Sequence, residues 1–208
     1  MRDGDTDGDG DARHGQFRVF GFDGERTALL RDVDAGVPRW TCPGDDEQVP
    51  LTGSLSPGAV VEATLEPAAD GGEPWALRSV STVRETTLAF VTHGAPPGPV
   101  VDTWLARDSN TGVGVSLRRD SSGDPVCELQ TIPQWVEGLD RWEALRAGAQ
   151  SLERWYDGTD TVAVAPVHLV FVNVMERPFV ALYAVPSEGH ALARLRDALG
   201  TGVSERGA

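Results

Sequence analysis

Residues 16–31, QFRVFGFDGERTALLR, decide the first half of the fold. Phe17 to Phe22 is an apolar-rich strand that runs into Asp23-Gly24, a dipeptide suited to the tight turn of a β-hairpin. Arg26 to Arg31 then returns as its partner. Working outward, Thr41 to Pro50 reads as a loop carrying Pro43-Gly44-Asp45-Asp46. Pro57-Gly58 introduces a strand from Ala59 to Glu66 that alternates apolar and polar in its second half. Residues 69–74, ADGGEP, form a turn, and Trp75 to Arg84 is the next strand. Short strands separated this closely by turn residues predict a small β-barrel over residues 16–86.

The remainder alternates strands with helices. Thr87 to Thr92 is a strand, and Val100, Val101, Trp104 and Leu105 share one helical face before Ser109-Asn110-Thr111-Gly112. Val113 to Leu117 and Val126 to Leu129 are strands joined by the turn Asp120 to Asp124. Leu139, Trp142, Leu145, Ala149, Leu152, Trp155 and Tyr156 recur at spacings of 3 and 4, which predicts a long helix stopped by Asp157-Gly158. Val162 to Met175 is apolar on both faces, as a covered central strand would be, and Phe179 to Val185 returns beside it. Ser187 then caps a helix bearing Leu192, Leu195 and Leu199. The expected class is therefore α+β, a barrel followed by an antiparallel-sheet α/β sandwich over residues 87–200. Residues 1–15 form an acidic leader with no large apolar side chain beyond Met1, and residues 201–208 a fraying tail; both are expected to be disordered.

Composition narrows the function. All 18 basic residues of this 208-residue chain are Arg, against 19 Asp and 13 Glu, for a net charge of −14. Without lysine there is no Walker-type or Schiff-base lysine, and no Lys-rich tail for nucleic acid or anionic lipid. The acid is spread along the chain: the net charge is −6 over residues 1–50, then −3, −3 and −2. Such a skin repels itself in dilute buffer and is screened in concentrated salt. The start, Met1-Arg2-Asp3-Gly4-Asp5, lacks a secretory h-region, so a cytoplasmic protein with reduced Cys42 and Cys127 is expected. The apolar run from Val162 to Met175 is too short for a bilayer, so no membrane association is expected.

Three resemblances add to this reading. Abundant Asp and Glu with no Lys resemble haloarchaeal proteins of unknown function, which implies a cytoplasm of high salt. Leu55 to Ala63 is similar in rhythm to OB-type barrels, and Phe20-Gly21-Phe22 with Arg18 resembles the stacking strand of cold-shock-like OB barrels. The flanking lysines and longer aromatic run of that strand are missing here. The order β-α-β-β-α-β resembles the ferredoxin-like plan, extended by one strand and one helix.

The candidate sites follow. Arg18, Phe20, Phe22 and Trp40 are expected to contact single-stranded nucleic acid, because rings stack on bases and Arg neutralises phosphate. His93, Gly94 and Gly98, at a strand-to-helix junction, are expected to bind a ligand; Pro96, Pro97 and Pro99 remove amide donors a phosphate would need. Asp5, Asp7, Asp9, Gly10 and Asp11 follow an EF-hand loop, but Gln16 stands where the bidentate Glu belongs. Cys42, His93, Cys127 and His168 lack zinc-ligand spacing, and no metal or cofactor is expected. Cys127 would be a nucleophile only if His93 or His168 lay beside it. Arg118-Arg119, Arg194 and Arg196 read as salt-bridging surface cations. Without a nucleotide-loop, hydrolase-elbow or metalloprotease motif, the expected function is a non-enzymatic binding or scaffold module for nucleic acid or a protein partner. The alternative is an enzyme acting on a small ligand in an interdomain cleft near His93.

Overall fold

The computed structural model describes residues 12–44, 55–94, 98–119, 121–123, 125–152, 167–186 and 190–199. The EF-hand-like aspartates, Trp155, Tyr156 and Ser187 lie outside them, as do residues 95–97 between Gly94 and Gly98. Five strands form a closed barrel: β1 (Arg13–Asp23), β2 (Thr27–Asp32), β3 (Pro38–Pro43), β4 (Val60–Glu66) and β5 (Trp75–Arg84). Their order is β1-β2-β3-β5-β4, with β1 and β4 antiparallel across the closure and β3 parallel to β5. The first strand starts at Arg13, inside the expected leader, because Arg13 to Gly15 pair with Leu65 to Ala63 through backbone bonds that need no apolar side chain. Phe17, Val19, Leu30, Val61, Leu65, Trp75 and Leu77 fill the interior.

Strand β1 carries a bulge between Val19 and Gly21. A bulge adds one residue and reverses which face the following side chains occupy. Phe17 and Val19 point into the barrel and Phe20 out of it, but Phe22 returns to the barrel core. The expected shared face of Arg18, Phe20 and Phe22 is therefore broken.

After Glu85 the chain enters a second sheet: β6 (Thr86–His93), β7 (Gly114–Arg119), β8 (Pro125–Pro133), β11 (Val167–Val174) and β12 (Phe179–Pro186). A small hairpin, β9 (Trp135–Val136) and β10 (Leu139–Asp140), follows β8. The sheet order is β6-β11-β12-β8-β7. It is mixed rather than antiparallel, since β6 and β11 run parallel. β8 and β11 run the same way with β12 between them, a split arrangement in the strand order β6-β11-β12-β8-β7.

Two helices, α1 (Gly98–Leu105) and α3 (Ala191–Ala198), cover one face of this sheet through Val100, Trp104, Leu192 and Leu195. Trp104 stacks on Phe179 with 4.9 Å between centroids, and Arg107 lies over its other side at 4.1 Å. Leu105, expected on the packed face, is exposed. The helix cannot rotate to bury it, because Gly114 of β7 passes against the carbonyl of Thr103 with no room for a Cβ. The N-cap position of α3 is His190, which makes no side-chain capping bond.

The other sheet face is covered by α2 (Arg141–Arg146) and by the barrel. This helix is much shorter than its sequence periodicity predicts. Leu139 belongs to the hairpin, Asp140 Oδ1 caps the helix by accepting from Trp142 N at 2.9 Å, and Gly148 (φ +64°) follows its end. Trp142, Leu145 and Leu152 nevertheless all enter one core, shared with Phe20 and Leu29 of the barrel. For these three the 3–4 spacing reports a common destination rather than one helix.

Candidate functional site

The barrel and the second sheet are joined at two places. At the first, Phe20 and Leu29 pack among Leu145, Leu152 and Val167, and the Arg31 guanidinium donates to the carbonyl of Gly148. At the second, the Pro57-Gly58 turn lies along the start of β6. Leu88 N donates to Pro57 O at 2.8 Å, Gly58 N to Val19 O at 2.7 Å, and Arg18 Nη1 to Gly58 O at 2.7 Å. Arg18 and Arg31, directly opposed on β1 and β2, thus each hold one seam.

These contacts correct the expected nucleic-acid face. Arg18 is 1% exposed and Phe20 is 5% exposed, both enclosed by the chain itself. Phe22 is half-buried in the barrel core, and Trp40 is half-buried against the core of the second sheet. The Phe20 ring, enclosed in the shared core, offers no free π-face to a base.

The remaining candidates do not converge. Cys42 lies on barrel strand β3. His93 ends β6 opposite Val174 and its carbonyl accepts from Met175 N at 3.0 Å, whereas His168 pairs with Thr87 at the beginning of that strand. Extending the β8–β12 register by one residue sets Cys127 opposite Val185, which in turn pairs with His168. Cys127 and His168 are thus two strand spacings apart, about 10 Å, with a fully buried valine between them. Among the described residues no group of three or more His, Cys, Asp or Glu could hold a metal ion. Gly94 and Gly98 are exposed.

Burial pushes the Cys127 thiol up from its ordinary 9.0 to about 11, only partly opposed by Arg118. Its Sγ donates to Glu128 O at 3.6 Å. A thiol so held is protonated at neutral pH and is a poor nucleophile. Tyr183 is raised too, chiefly by burial and secondarily by Cys127. Both groups release protons more readily when unfolded. Their contribution to stability is complete below pH 9 and is lost as pH rises through about 11 for the thiol. A two-unit rise corresponds to about 3 kcal/mol. Urea midpoints at pH 8 and pH ~10.5 should therefore fall steeply in the wild type and less in Cys127→Ala; equal falls contradict this assignment.

A cleft does open at the second seam. It has a volume of about 400 Å³ and is lined by Ser56, Ala59, Thr82, Glu85, Thr86, Thr87, Val167 and His168. That is within the ordinary range for small-molecule sites, about 300–1,000 Å³. The parallel register of β6 and β11 sets Thr87 beside His168, and Thr87 Oγ1 hydrogen-bonds His168 Nδ1. Thr86 is 2% exposed, and its Oγ1 has no hydrogen-bond partner among the described residues. Leaving a buried hydroxyl unsatisfied costs about 1–3 kcal/mol. Of these residues only His168 stood out in the sequence, as a polar residue within an apolar run. The threonines and Ser56 gave no signal, because Thr is an ordinary strand residue.

Fold and cleft together define an α+β protein with a closed five-stranded barrel seated against a mixed five-stranded sheet, carrying a hydroxyl-lined site at their junction. The chain belongs to the family of unknown function DUF6663, whose model matches residues 10–201. No curated protein and no solved structure matches it. Among the described residues no helix is long and apolar enough to cross a membrane.

Proposed function

We propose that the protein is a non-enzymatic binding module whose ligand is a small molecule held in the junction cleft. The observation that carries this reading is the cleft itself, about 400 Å³ at the junction of barrel and second sheet, with Ser56, Thr82, Glu85, Thr87 and His168 in its lining. The cleft replaces the site expected near His93, which lies at the other end of β6. The raised Cys127 thiol and its separation from both histidines favour binding over nucleophilic catalysis.

We assign the barrel to the OB type, from its five closed strands and the β1 pairings to both β2 and β4. OB barrels commonly present the face of strands 2 and 3 to oligonucleotides. Here Leu29 and Arg31 of β2, and Trp40 of β3, lie under the second sheet's core and the Gly148 turn. The usual ligand face is thus occupied from within the same chain, which favours a small ligand over nucleic acid.

Amide shifts of the isotope-labelled full chain, titrated with a mixed set of small polar molecules, test the proposal. Saturable shifts at Thr82, Thr86, Thr87 and His168 are expected; saturable shifts located elsewhere, or none, refute it.

The distributed charge of −14 supports a high-salt cytoplasmic setting. The thermal midpoint should climb steadily from tens of millimolar to molar KCl as repulsion is screened and apolar burial strengthens. A midpoint that is flat or falls over that range contradicts the halophilic assignment.

A protein partner is a second reading, favoured by Trp135, which is 59% exposed beside exposed Leu139 on the β9–β10 hairpin.

A further inference from the structure

Strand β7 forms one edge of the second sheet: β8 bonds it from Gly114 to Arg118, and among the described residues no other strand adjoins it. Half of the backbone N–H and C=O groups of an edge strand point away from its neighbour and can bond another extended chain. The available stretch has defined limits. At its start, Asp108 N donates to Val113 O at 3.0 Å, so the turn after α1 closes the edge there. At its end the register shifts between Arg118 and Arg119. Residues 114–118 remain, and their midpoint is Ser116.

The side chains of this stretch complement themselves. A two-fold axis at Ser116 sets two copies of β7 antiparallel, with Ser116 opposite Ser116, Val115 opposite Leu117 and Arg118 opposite Gly114. Val115 is 62% exposed and Leu117 half-buried, and the two share one face of the strand. Each copy therefore covers the other's apolar pair. Leu105, 71% exposed, lies at the same edge, two residues after Thr103, whose carbonyl abuts Gly114.

Charge decides what occupies the edge. Arg118 and Arg119 are exposed at one end of it, and Asp108 is exposed at the other. Backbone hydrogen bonds from Thr111 and Asn110 hold the Asp108 carboxyl below its ordinary range, so it is ionised. Antiparallel pairing brings the basic end of each copy to the acidic end of the other, twice, and leaves the two Arg118 side chains about 14 Å apart along the strands. Moving the axis to Arg118 would instead set the two guanidinium groups against each other. A uniformly acidic peptide would meet Asp108 with like charge. We propose that the protein forms a two-fold dimer in which β7 pairs with β7 of a second copy about Ser116, making the two second sheets continuous. Because each copy carries a net charge of −14, the dimer is weakened in dilute buffer and strengthened by KCl.

Sedimentation equilibrium of the full chain in molar KCl, at concentrations up to about 100 μM, should show a dimer. A monomer throughout overturns the proposal; Arg118, Arg119 and the bulge would then serve to keep the edge unpaired. Val115→Glu changes an exposed side chain, so its circular dichroism should match the wild type. It acts at both Val115–Leu117 contacts and should weaken the dimer at least about tenfold. Trp135→Ser, on the β9–β10 hairpin, should leave the dimer intact. A dimer indifferent to Val115→Glu, or lost in Trp135→Ser, places the interface elsewhere and refutes the assignment. The register is read by cross-linking with oxidised glutathione, both variants in a Cys127→Ala background. Ser116→Cys should form a disulfide-linked dimer, because directly opposed residues lie about 4.5–5.5 Å apart between Cα atoms, whereas Arg118→Cys should not. Cross-linking of both to the same extent, or of neither, rules out pairing about Ser116.

Discussion

Gly58→Ala is expected to destabilise the protein by about 3 kcal/mol, the sum of two effects at one atom. Gly58 has φ +96°, where an L side chain costs about 1–2 kcal/mol. A Cβ there would also lie 2.5 Å from Leu88 N, 2.6 Å from Thr87 C and 2.8 Å from Thr86 O. All three are backbone atoms of β6 and cannot rotate away. The turn would have to lift from the strand, stretching the Leu88 N–Pro57 O bond and the Arg18–Gly58 O bond together. Overpacking of this kind costs about 1–3 kcal/mol. Gly71 is the control, because it has φ +76° but nothing within 4 Å of an added Cβ. Gly71→Ala should lose only about 1–2 kcal/mol, the backbone part alone. Denaturant unfolding of both variants makes the comparison. Equal losses would mean that the turn does not seat on β6.

Phe20→Ala should cost about 3–5 kcal/mol, as large-to-small substitutions in a filled core do. Its ring lies within the core that joins the barrel to the second sheet, and Gly148 approaches so closely that a Cβ added there would be 3.4 Å from Phe20 Cγ. The alternative role, a ring stacked on a nucleic-acid base, predicts the opposite pattern: loss of single-stranded DNA affinity with little change in stability. Unfolding measurements beside a DNA titration at moderate salt distinguish the two. A stable Phe20→Ala variant with weakened DNA binding would restore the stacking face and remove the structural role assigned here.

Both predictions concern residues whose position a local reading of the sequence misplaces or underuses. Strands bounded by strong turns were legible: Ala59 to Glu66 and Trp75 to Arg84 coincide closely with β4 and β5. Strand β3 was not, because Pro38 and Pro43 bracket it and read as breakers, although its pairing with β2 and β5 uses the residues between. The bulge at Phe20 left no composition signal, yet it separates Phe20 from Phe22 and dissolves the expected aromatic face. Trp142, Leu145 and Leu152, from the long periodic stretch, share a core without sharing a helix. Strand order in the second sheet depends on which edges meet after collapse. Hydrophobic pattern alone could not place β12 between β11 and β8.

The cleft shows the same limit at the level of chemistry. Thr86 and Thr87 are unremarkable in sequence; parallel pairing of β6 with β11 brings one to His168, and the Pro57-Gly58 turn encloses the other. That the first half closes as a small barrel was legible; which of its residues meet the second sheet was not.

The most direct test of the cleft as a binding site is the amide-shift titration of the labelled full chain with small polar molecules. The account predicts saturable shifts confined to the lining, at Ser56, Thr82, Thr86, Thr87 and His168. Saturable shifts located elsewhere, or none, would contradict it.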